Sequence, residues 1–254
     1  MKLKKGDLIK VIKGKDKGKE GKIEKCIPLR EKAKIIIFAG KHSGEKGEVI
    51  SFNMEEKTAK INADGKEKNI LIKQLSADLL NDYLFFFDNI VFTENPDWSK
   101  CYCYSFHFIG TNDQWNKDEN RSSVIKLIKE NKMAGYLAFQ ANKPVGWCSA
   151  NNRLNYQRLL KYYDLIDNPE DKVISIVCFV ISPDLRRKGI AQKILKQIII
   201  DYSTLDYDYL EAYPGKGNLS CEKHYKGPLD LYEKHSFKII KEYADYYVVR
   251  KYLR

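Results

Sequence analysis

The period of hydrophobic and polar positions changes along the chain, and the change predicts two domains. Up to about residue 68, apolar β-branched runs such as 8–12 and 35–38 alternate with polar segments that contain glycine. This is the pattern of short strands joined by hairpin loops. Beyond residue 68, strand-like runs alternate with segments whose apolar residues recur every three or four positions, as on one helix face. We therefore predict a small all-β domain over residues 1–68 and a mixed α/β (α+β) domain over residues 69–254, with helices on both faces of its sheet.

The second domain begins with a strand near residue 70 and a helix that Ser76 caps. The run Val173–Ile181 is apolar almost throughout, which is typical of a central strand buried on both faces. The other predicted elements are a strand at 101–108, helices at 118–131 and 155–166, a hairpin of 135–139 with 144–148, a helix at 190–202, a strand at 208–213, a helix at 229–235, and strands at 237–240 and 246–249.

A glycine repeat distinguishes the first domain, because Gly14, Gly18 and Gly21 are matched at the same spacing by Gly40, Gly44 and Gly47. Glycine permits positive φ, so both copies suit tight turns and close backbone approach to a partner. Residues 5–23 resemble the KOW element of certain large-subunit ribosomal proteins and transcription elongation factors. The resemblance implies an SH3-like barrel that contacts RNA or protein. Whether the two copies form one barrel or two small units stays open.

Charge is unevenly distributed between the two domains. The formal net charge is +11, and residues 1–68 hold 19 Lys and Arg against 11 Asp and Glu, whereas the remainder holds 26 against 23. A small basic module indicates an anionic partner, RNA or a ribosome first and other polyanions second. The alternative is a lysine-rich surface that only keeps the protein soluble.

The six cysteines and four histidines do not form a metal-binding pattern. No CxxC pair occurs, and Cys101 and Cys103 are the only two cysteines that lie close together in sequence. We therefore expect no metal site and reduced thiols. The apolar runs are far shorter than the roughly 20 residues of a membrane helix, and no apolar segment follows the N-terminal charges. These features predict a cytoplasmic protein without a membrane anchor.

The clearest chemical signal lies directly after the predicted central strand. Ser182-Pro183-Asp184-Leu185 leads into Arg186-Arg187-Lys188-Gly189, and a helix follows. A helix N-terminus offers unpaired N–H groups and partial positive charge, so it binds phosphate. Gly189 allows close approach of an anion, and the three basic side chains add charge. An ordinary strand-to-helix turn with solvated basic residues is the alternative.

Two motifs in this domain resemble the GNAT superfamily of N-acetyltransferases. Arg186, Gly189 and Ala191 meet the superfamily pattern Arg/Gln-x-x-Gly-x-Gly/Ala, and residues 227–237 resemble its late helix. The resemblance covers residues 70–254 and implies the GNAT acyltransferase fold. Ser236 stands where the family usually has glycine, at a helix end that favours a left-handed residue.

The resemblance also implies acetyl-coenzyme A as the cofactor and assigns roles to individual residues. Main-chain groups of Phe179, Val180 and Ile181 are expected to pair with the pantetheine arm. Tyr232 matches the tyrosine that protonates the departing thiolate, although a buried aromatic on a helix face is the alternative. The pyrophosphate is expected at the main chain and basic side chains of the loop, namely Arg186, Arg187, Lys188, Gly189, Ile190 and Ala191.

The acceptor amine must lose a proton before it attacks, and a carboxylate or an ordered water could accept it. Glu211, near the end of a strand that alternation turns toward the cleft, is the first candidate; His224 and Tyr225 are alternatives. Cys178 lies next to the expected thioester, and a covalent acyl-cysteine route is chemically possible. Aromatic residues expected either to shape an acceptor pocket or to fill the core are Trp98, Tyr104, His107, Trp147 and Tyr225.

These features predict transfer of an acetyl group from acetyl-coenzyme A to a primary amine by direct attack. The sequence does not name the acceptor, which is a small molecule or a protein. The basic residues 1–68 are expected to bring the enzyme to RNA or the ribosome. The competing hypothesis is an RNA- or ribosome-binding protein whose acyltransferase domain has degenerated, and a third is that the barrel only supports the enzyme or mediates dimerisation.

Overall fold

The chain forms two compact units, residues 1–69 and residues 70–254. The computed structural model describes residues 8–10, 20–28, 33–38, 46–53, 58–62 and 70–253, except 163–167, 169, 218, 221 and 222. Four glycines of the repeat (Gly14, Gly18, Gly40 and Gly44) lie outside the described residues, so their predicted turns remain predictions.

The first unit contains one antiparallel sheet. Its strands are β1 (Leu8–Lys10), β2 (Glu20–Pro28), β3 (Ala33–Phe38), β4 (Lys46–Asn53) and β5 (Thr58–Asn62), and each pairs with the next along the chain. Strands rich in β-branched residues that follow one another through short polar loops form such an up-and-down sheet. The SH3-like barrel remains a prediction for this unit.

The second unit is a seven-stranded mixed sheet with helices. Its sheet has the order β11-β12-β10-β9-β8-β7-β6, in which β9 and β10 are parallel and all other neighbours are antiparallel. The elements are β6 (Ile70–Gln74), α1 (Leu80–Asn89), α2 (Lys117–Lys129), β7 (Gly135–Gln140), β8 (Lys143–Asn152), α3 (Gln157–Tyr162), β9 (Val173–Ile181), α4 (Ile190–Tyr202), β10 (Tyr209–Ala212), α5 (Leu229–Glu233), β11 (Lys238–Glu242) and β12 (Tyr247–Tyr252).

Two hydrophobic cores lie on opposite faces of this sheet. Helices α1 to α3 contribute buried side chains such as Tyr83, Val124 and Leu159 to one core. The other core contains the apolar stripe of α4, including Ile194 and Ile198. Helix α4 follows the spacing that buries one face of a helix, and β9 supplies side chains to both cores, as its apolar sequence predicts. None of the helices in the described part is long and apolar enough to cross a bilayer.

Two local predictions for this unit are wrong. Residues 101–108 form consecutive turns and no strand. Tyr102 and Cys103 take left-handed backbone conformations with φ of 44° and 53°, and the buried Tyr83 hydroxyl donates to the Tyr102 carbonyl. Ser76 occupies the cap position before a 3-10 turn over Ala77–Leu79 that leads into helix α1, but its side chain makes no capping hydrogen bond.

Candidate functional site

The two parallel strands diverge at the centre of the second unit, and this divergence creates the site. Strand β10 pairs with β9 only from Val173 to Ile176, whereas β8 accompanies β9 as far as Ile181. The last five residues of β9 therefore present one edge that β10 does not cover. An uncovered strand edge offers main-chain N–H and C=O groups to an extended ligand.

A cavity of about 750 Å³ opens beside this edge. It is lined by the segment that follows α1 (Val91 and Phe92 among others), by the turns that contain Trp98, and by the end of β9. The loop before α4 and the segment 224–235 complete its wall. The cavity is large enough for an extended organic ligand of several hundred cubic ångströms.

The loop before α4 has the geometry of an anion-binding turn. Arg187 has a φ of 59° and Gly189, the residue before α4, has a φ of 78°. No side chain of the described residues caps this helix N-terminus. A Cβ added at Gly189 would meet nothing within 4 Å, so the space above the turn is open. Alternating left-handed residues and uncapped N–H groups together form a concave cradle for phosphate.

The basic side chains of this loop have different neighbours. Arg186 lines the cavity, and its Nη1 donates to Oε2 of Glu94 at 2.7 Å. Arg187 also lines the cavity. Lys188 points elsewhere, because its Nζ donates to the carbonyl of Asp184 at 2.6 Å and it does not line the cavity. Glu94 thus competes with any anion for Arg186.

Two successive carbonyls of the segment before α5 bind groups that the family resemblance assigns to the site, one to cofactor binding and one to catalysis. The N–H of Phe179 donates to the carbonyl of Tyr225 at 2.5 Å, across the uncovered edge of β9. The hydroxyl of Tyr232 donates to the carbonyl of Lys226 at 2.6 Å. Tyr232 is fully buried directly behind Gly227, which lines the cavity. Burial raises the pKa of the Tyr232 phenol well above its ordinary value, so the phenol stays protonated.

Glu211 does not face the cavity, and the prediction that strand alternation turns it toward the cleft is wrong. The side chain is fully buried, and its Oε2 accepts from Nε of Arg250 at 2.5 Å. Its other oxygen accepts from the Tyr213 hydroxyl and lies 3.5 Å from Nη1 of Arg153. A buried carboxylate needs such partners, and strand β12, which carries Arg250, supplies one by pairing with β10.

The five aromatic candidates separate into two groups. Trp98 and Tyr225 line the cavity, and their rings meet edge to face at 6.3 Å between centroids. The other three do not line it. Tyr104 stacks on His107, and burial lowers the His107 pKa to about 4. Trp147 is fully buried beneath Tyr83. For these three residues the structure supports the core role that the sequence left open.

Cysteines contribute more to the cavity than the sequence indicates. Cys101, Cys103 and Cys178 all line it. Cys101 and Cys103 lie on the same wall, where turns with left-handed conformations at Tyr102 and Cys103 replace the predicted strand. A hydrogen bond between Cys178 and Cys103, together with burial, raises the pKa of Cys178, and burial raises that of Cys101 to about 11. Both thiols are therefore protonated and weakly nucleophilic at neutral pH.

Several lining residues carry no recognisable sequence signal. Phe92, Glu94 and Asn95 follow α1 in a segment without a motif or a period. They reach the cavity because the fold brings this segment to the same cavity as the end of β9. The unusual aromatic and cysteine content of residues 96–107 is the one local signal that pointed to this wall.

Two family profiles match different parts of the chain. The profile of the Acetyltransferase (GNAT) family matches residues 91–237, and the KOW motif matches residues 5–38. Large ribosomal subunit protein uL24 of Prochlorococcus marinus strain MIT 9215 is 38% identical over 80 residues, which span 29% of this chain and 68% of uL24.

Two solved structures resemble the chain at low sequence identity. An N-acetyltransferase from Staphylococcus aureus Mu50 is 17% identical with a TM-score of 0.43, covering 73% of this chain and 99% of that chain. The PaiA N-acetyltransferase from Thermoplasma acidophilum, solved in complex with coenzyme A, is 13% identical with a TM-score of 0.42, covering 72% and 99%.

Proposed function

The chain belongs to the Acetyltransferase (GNAT) family, and on this basis we propose that it transfers an acetyl group from acetyl-coenzyme A to a primary amine. The observation that carries the proposal is the uncapped N-terminus of α4, which opens onto the cavity beside the uncovered edge of β9. An anion cradle next to an unpaired strand edge suits a ligand that joins a diphosphate to an extended amide chain.

The loop before α4 is proposed to hold the diphosphate. Main-chain N–H groups from Arg187 to Ala191 are assigned to the phosphates, because the space at Gly189 is open, and Arg186 adds charge at the cavity wall. Ile190 begins the helix, so its N–H belongs to the unpaired first turn. Lys188 is expected to contribute only its main-chain N–H, because its side chain donates to the carbonyl of Asp184.

The end of β9 is proposed to hold the pantetheine arm. Phe179 and Ile181 have the same orientation in the strand, and their main-chain groups face the gap left by β10. Val180 pairs with Trp147 of β8 and fixes the position of that edge. When a thioester binds, the carbonyl of Tyr225 must give up the Phe179 N–H, which then becomes available to the thioester oxygen.

Tyr232 is proposed to donate the proton that the leaving sulfur requires. Its phenol is protonated, and its hydroxyl donates to the carbonyl of Lys226, the residue that follows Tyr225. The same local exchange that frees Phe179 would free Tyr232 from Lys226. Coenzyme A supplies an activated acyl group as a thioester, and the protein residues orient it, exclude water and manage the protons.

Turnover of acetyl-coenzyme A with a panel of amines, which includes small amines, peptide N-termini and ribosomal proteins, tests the proposal. Tyr232→Phe is expected to lower kcat by about 10- to 1,000-fold with little change in coenzyme affinity, because a phenol that acts as general acid contributes in that range. Tyr156→Phe is the matched control, since it removes another buried tyrosine hydroxyl bond (to Ser149, 2.8 Å) away from the cavity.

The results discriminate between an enzyme and a degenerate domain. Equal kcat for Tyr232→Phe and Tyr156→Phe would remove Tyr232 from the mechanism. A wild-type protein that binds no coenzyme A, or binds it and transfers nothing to any amine, would instead favour the hypothesis of a binding protein with a degenerate acyltransferase domain.

The basic N-terminal unit is proposed to bring the enzyme to RNA or the ribosome. The support consists of the KOW motif, the similarity to uL24 and the excess of Lys and Arg over residues 1–68. Binding of the full chain to ribosomal RNA is expected to weaken with salt. Charge reversal at Lys15, Lys17 and Lys19 should reduce both the affinity and its salt dependence. An affinity that changes neither with the salt concentration nor with these substitutions would refute RNA docking.

A further inference from the structure

A histidine lies in the cavity wall where strands β9 and β10 diverge. His224 lines the cavity together with Cys178 and Tyr225. Its N–H donates to the carbonyl of Ser220 at 3.2 Å, and its carbonyl accepts from the N–H of Gly227 at 2.8 Å. Because Cys178 and Tyr225 line the same wall, the imidazole lies close to the end of the uncovered strand edge. The two backbone hydrogen bonds of His224 do not involve the Tyr225 carbonyl, which a bound thioester would displace.

The carboxylates near this wall are already paired. Glu94 binds Arg186 at 2.7 Å, and Asp230 binds Lys234 at 2.8 Å. Glu211 is fully buried, bound to Arg250, and does not line the cavity. A carboxylate held by a cation is a weaker proton acceptor, since protonation would break the pair. None of these three groups is therefore suited to take a proton from an amine in the cavity.

Three other titratable groups of the wall are also committed, namely those of Cys101, Cys178 and His235. The thiols of Cys101 and Cys178 have raised pKa values and remain protonated. His235 also lines the cavity, but its Nδ1 lies 2.8 Å from the carbonyl of Leu231. For His224, in contrast, the buried Nδ1 has no hydrogen-bond partner among the described residues.

We propose, on the basis of the acyl transfer inferred above, that His224 is the catalytic base that takes the proton of the acceptor ammonium. A neutral imidazole accepts one proton at a ring nitrogen. The freed nitrogen lone pair forms the C–N bond, and the C–S bond then breaks with its electron pair on sulfur. Tyr232 protonates that sulfur and regains a proton from the nitrogen of the adduct. His224 releases its proton to solvent, so an amide, a thiol and one proton result.

The test uses full-length protein, acetyl-coenzyme A and the best acceptor of the amine panel, with hydroxylamine as a second probe. Hydroxylamine is largely unprotonated near neutrality, so its attack depends less on a base. We expect His224→Gln to lower kcat for the protonated amine by about 100-fold, the usual scale of general base catalysis, and for hydroxylamine by much less. His107→Gln, at a histidine that does not line the cavity, is the matched control and is expected to retain wild-type kcat for both.

Chemical rescue separates a base from a structural role. In His224→Ala, added imidazole should restore part of the turnover, and coenzyme A binding should stay within about twofold of wild type. Equal losses with both nucleophiles, absence of rescue, or kcat within twofold of wild type would overturn the assignment of His224. A wild-type protein without transfer to any amine would instead refute the proposed function, which is a distinguishable result.

Discussion

Gly189→Ala is expected to have two separable effects, one on the stability of the fold and one on the affinity for coenzyme A. Gly189 has a φ of 78°, and a non-glycine residue in this region costs about 1–2 kcal/mol. The lower entropy of the unfolded chain offsets about 0.4–1 kcal/mol of that cost. No atom lies within 4 Å of the new Cβ, so no clash adds to it. The expected net loss of stability is about 1 kcal/mol, or about 2–4 °C in Tm for a domain of this size.

The effect of Gly189→Ala on coenzyme A affinity is expected to be larger. The methyl group would enter the open space where the phosphate has to approach the N–H groups of α4. Loss or lengthening of one charge-assisted hydrogen bond costs about 1.5–3 kcal/mol, which corresponds to a fall in affinity of about 10- to 100-fold. Isothermal titration with coenzyme A and thermal unfolding measure the two effects separately.

Gly217 provides the matched control for this experiment. It has a φ of 82°, and an added Cβ there also meets nothing within 4 Å. Gly217 does not line the cavity, so Gly217→Ala should lower Tm by a similar amount and leave coenzyme A affinity unchanged. Equal affinity in Gly189→Ala and Gly217→Ala, with both proteins folded, would refute the assignment of the diphosphate to this loop.

Three further predictions follow from other residues of the second unit. Ser236→Gly is expected to stabilise by about 0.5–1 kcal/mol, because Ser236 has a φ of 65°, whereas Ser203→Gly at the right-handed end of α4 should destabilise; chemical unfolding measures both. Glu94→Gln should tighten coenzyme A binding by up to about fivefold at low salt, since the exposed Glu94 no longer occupies Arg186, and an unchanged or weaker affinity would contradict this competition. His107 has a folded pKa of about 4, below its ordinary 6.5, so the unfolded chain takes up the proton first and stability should fall as pH drops from 6.5 to 4. In His107→Gln this part of the pH dependence should disappear. A free energy of unfolding that falls with pH as steeply as in the wild type would refute the prediction.

The sequence by itself determined the features that depend on neighbouring residues. The apolar run Val173–Ile181 and the apolar spacing of Ile190–Tyr202 were predicted with the bounds that the structure has, because period and length suffice for a buried strand and an amphipathic helix. The departure at Ser236 marked a position that favours a left-handed residue, and the structure has that conformation. The loop motif likewise encodes its own turn, since Gly189 permits the positive φ that precedes the helix.

The tertiary structure alone decided which distant groups meet. Glu211 lies on a strand whose alternation gives no information about Arg250, and the pairing of β10 with β12 converts an apparent cleft residue into a buried ion pair. The contact of Phe179 with the Tyr225 carbonyl likewise joins segments far apart in sequence. Such contacts depend on how whole elements pack, because a buried polar group must find its partner wherever the fold brings one.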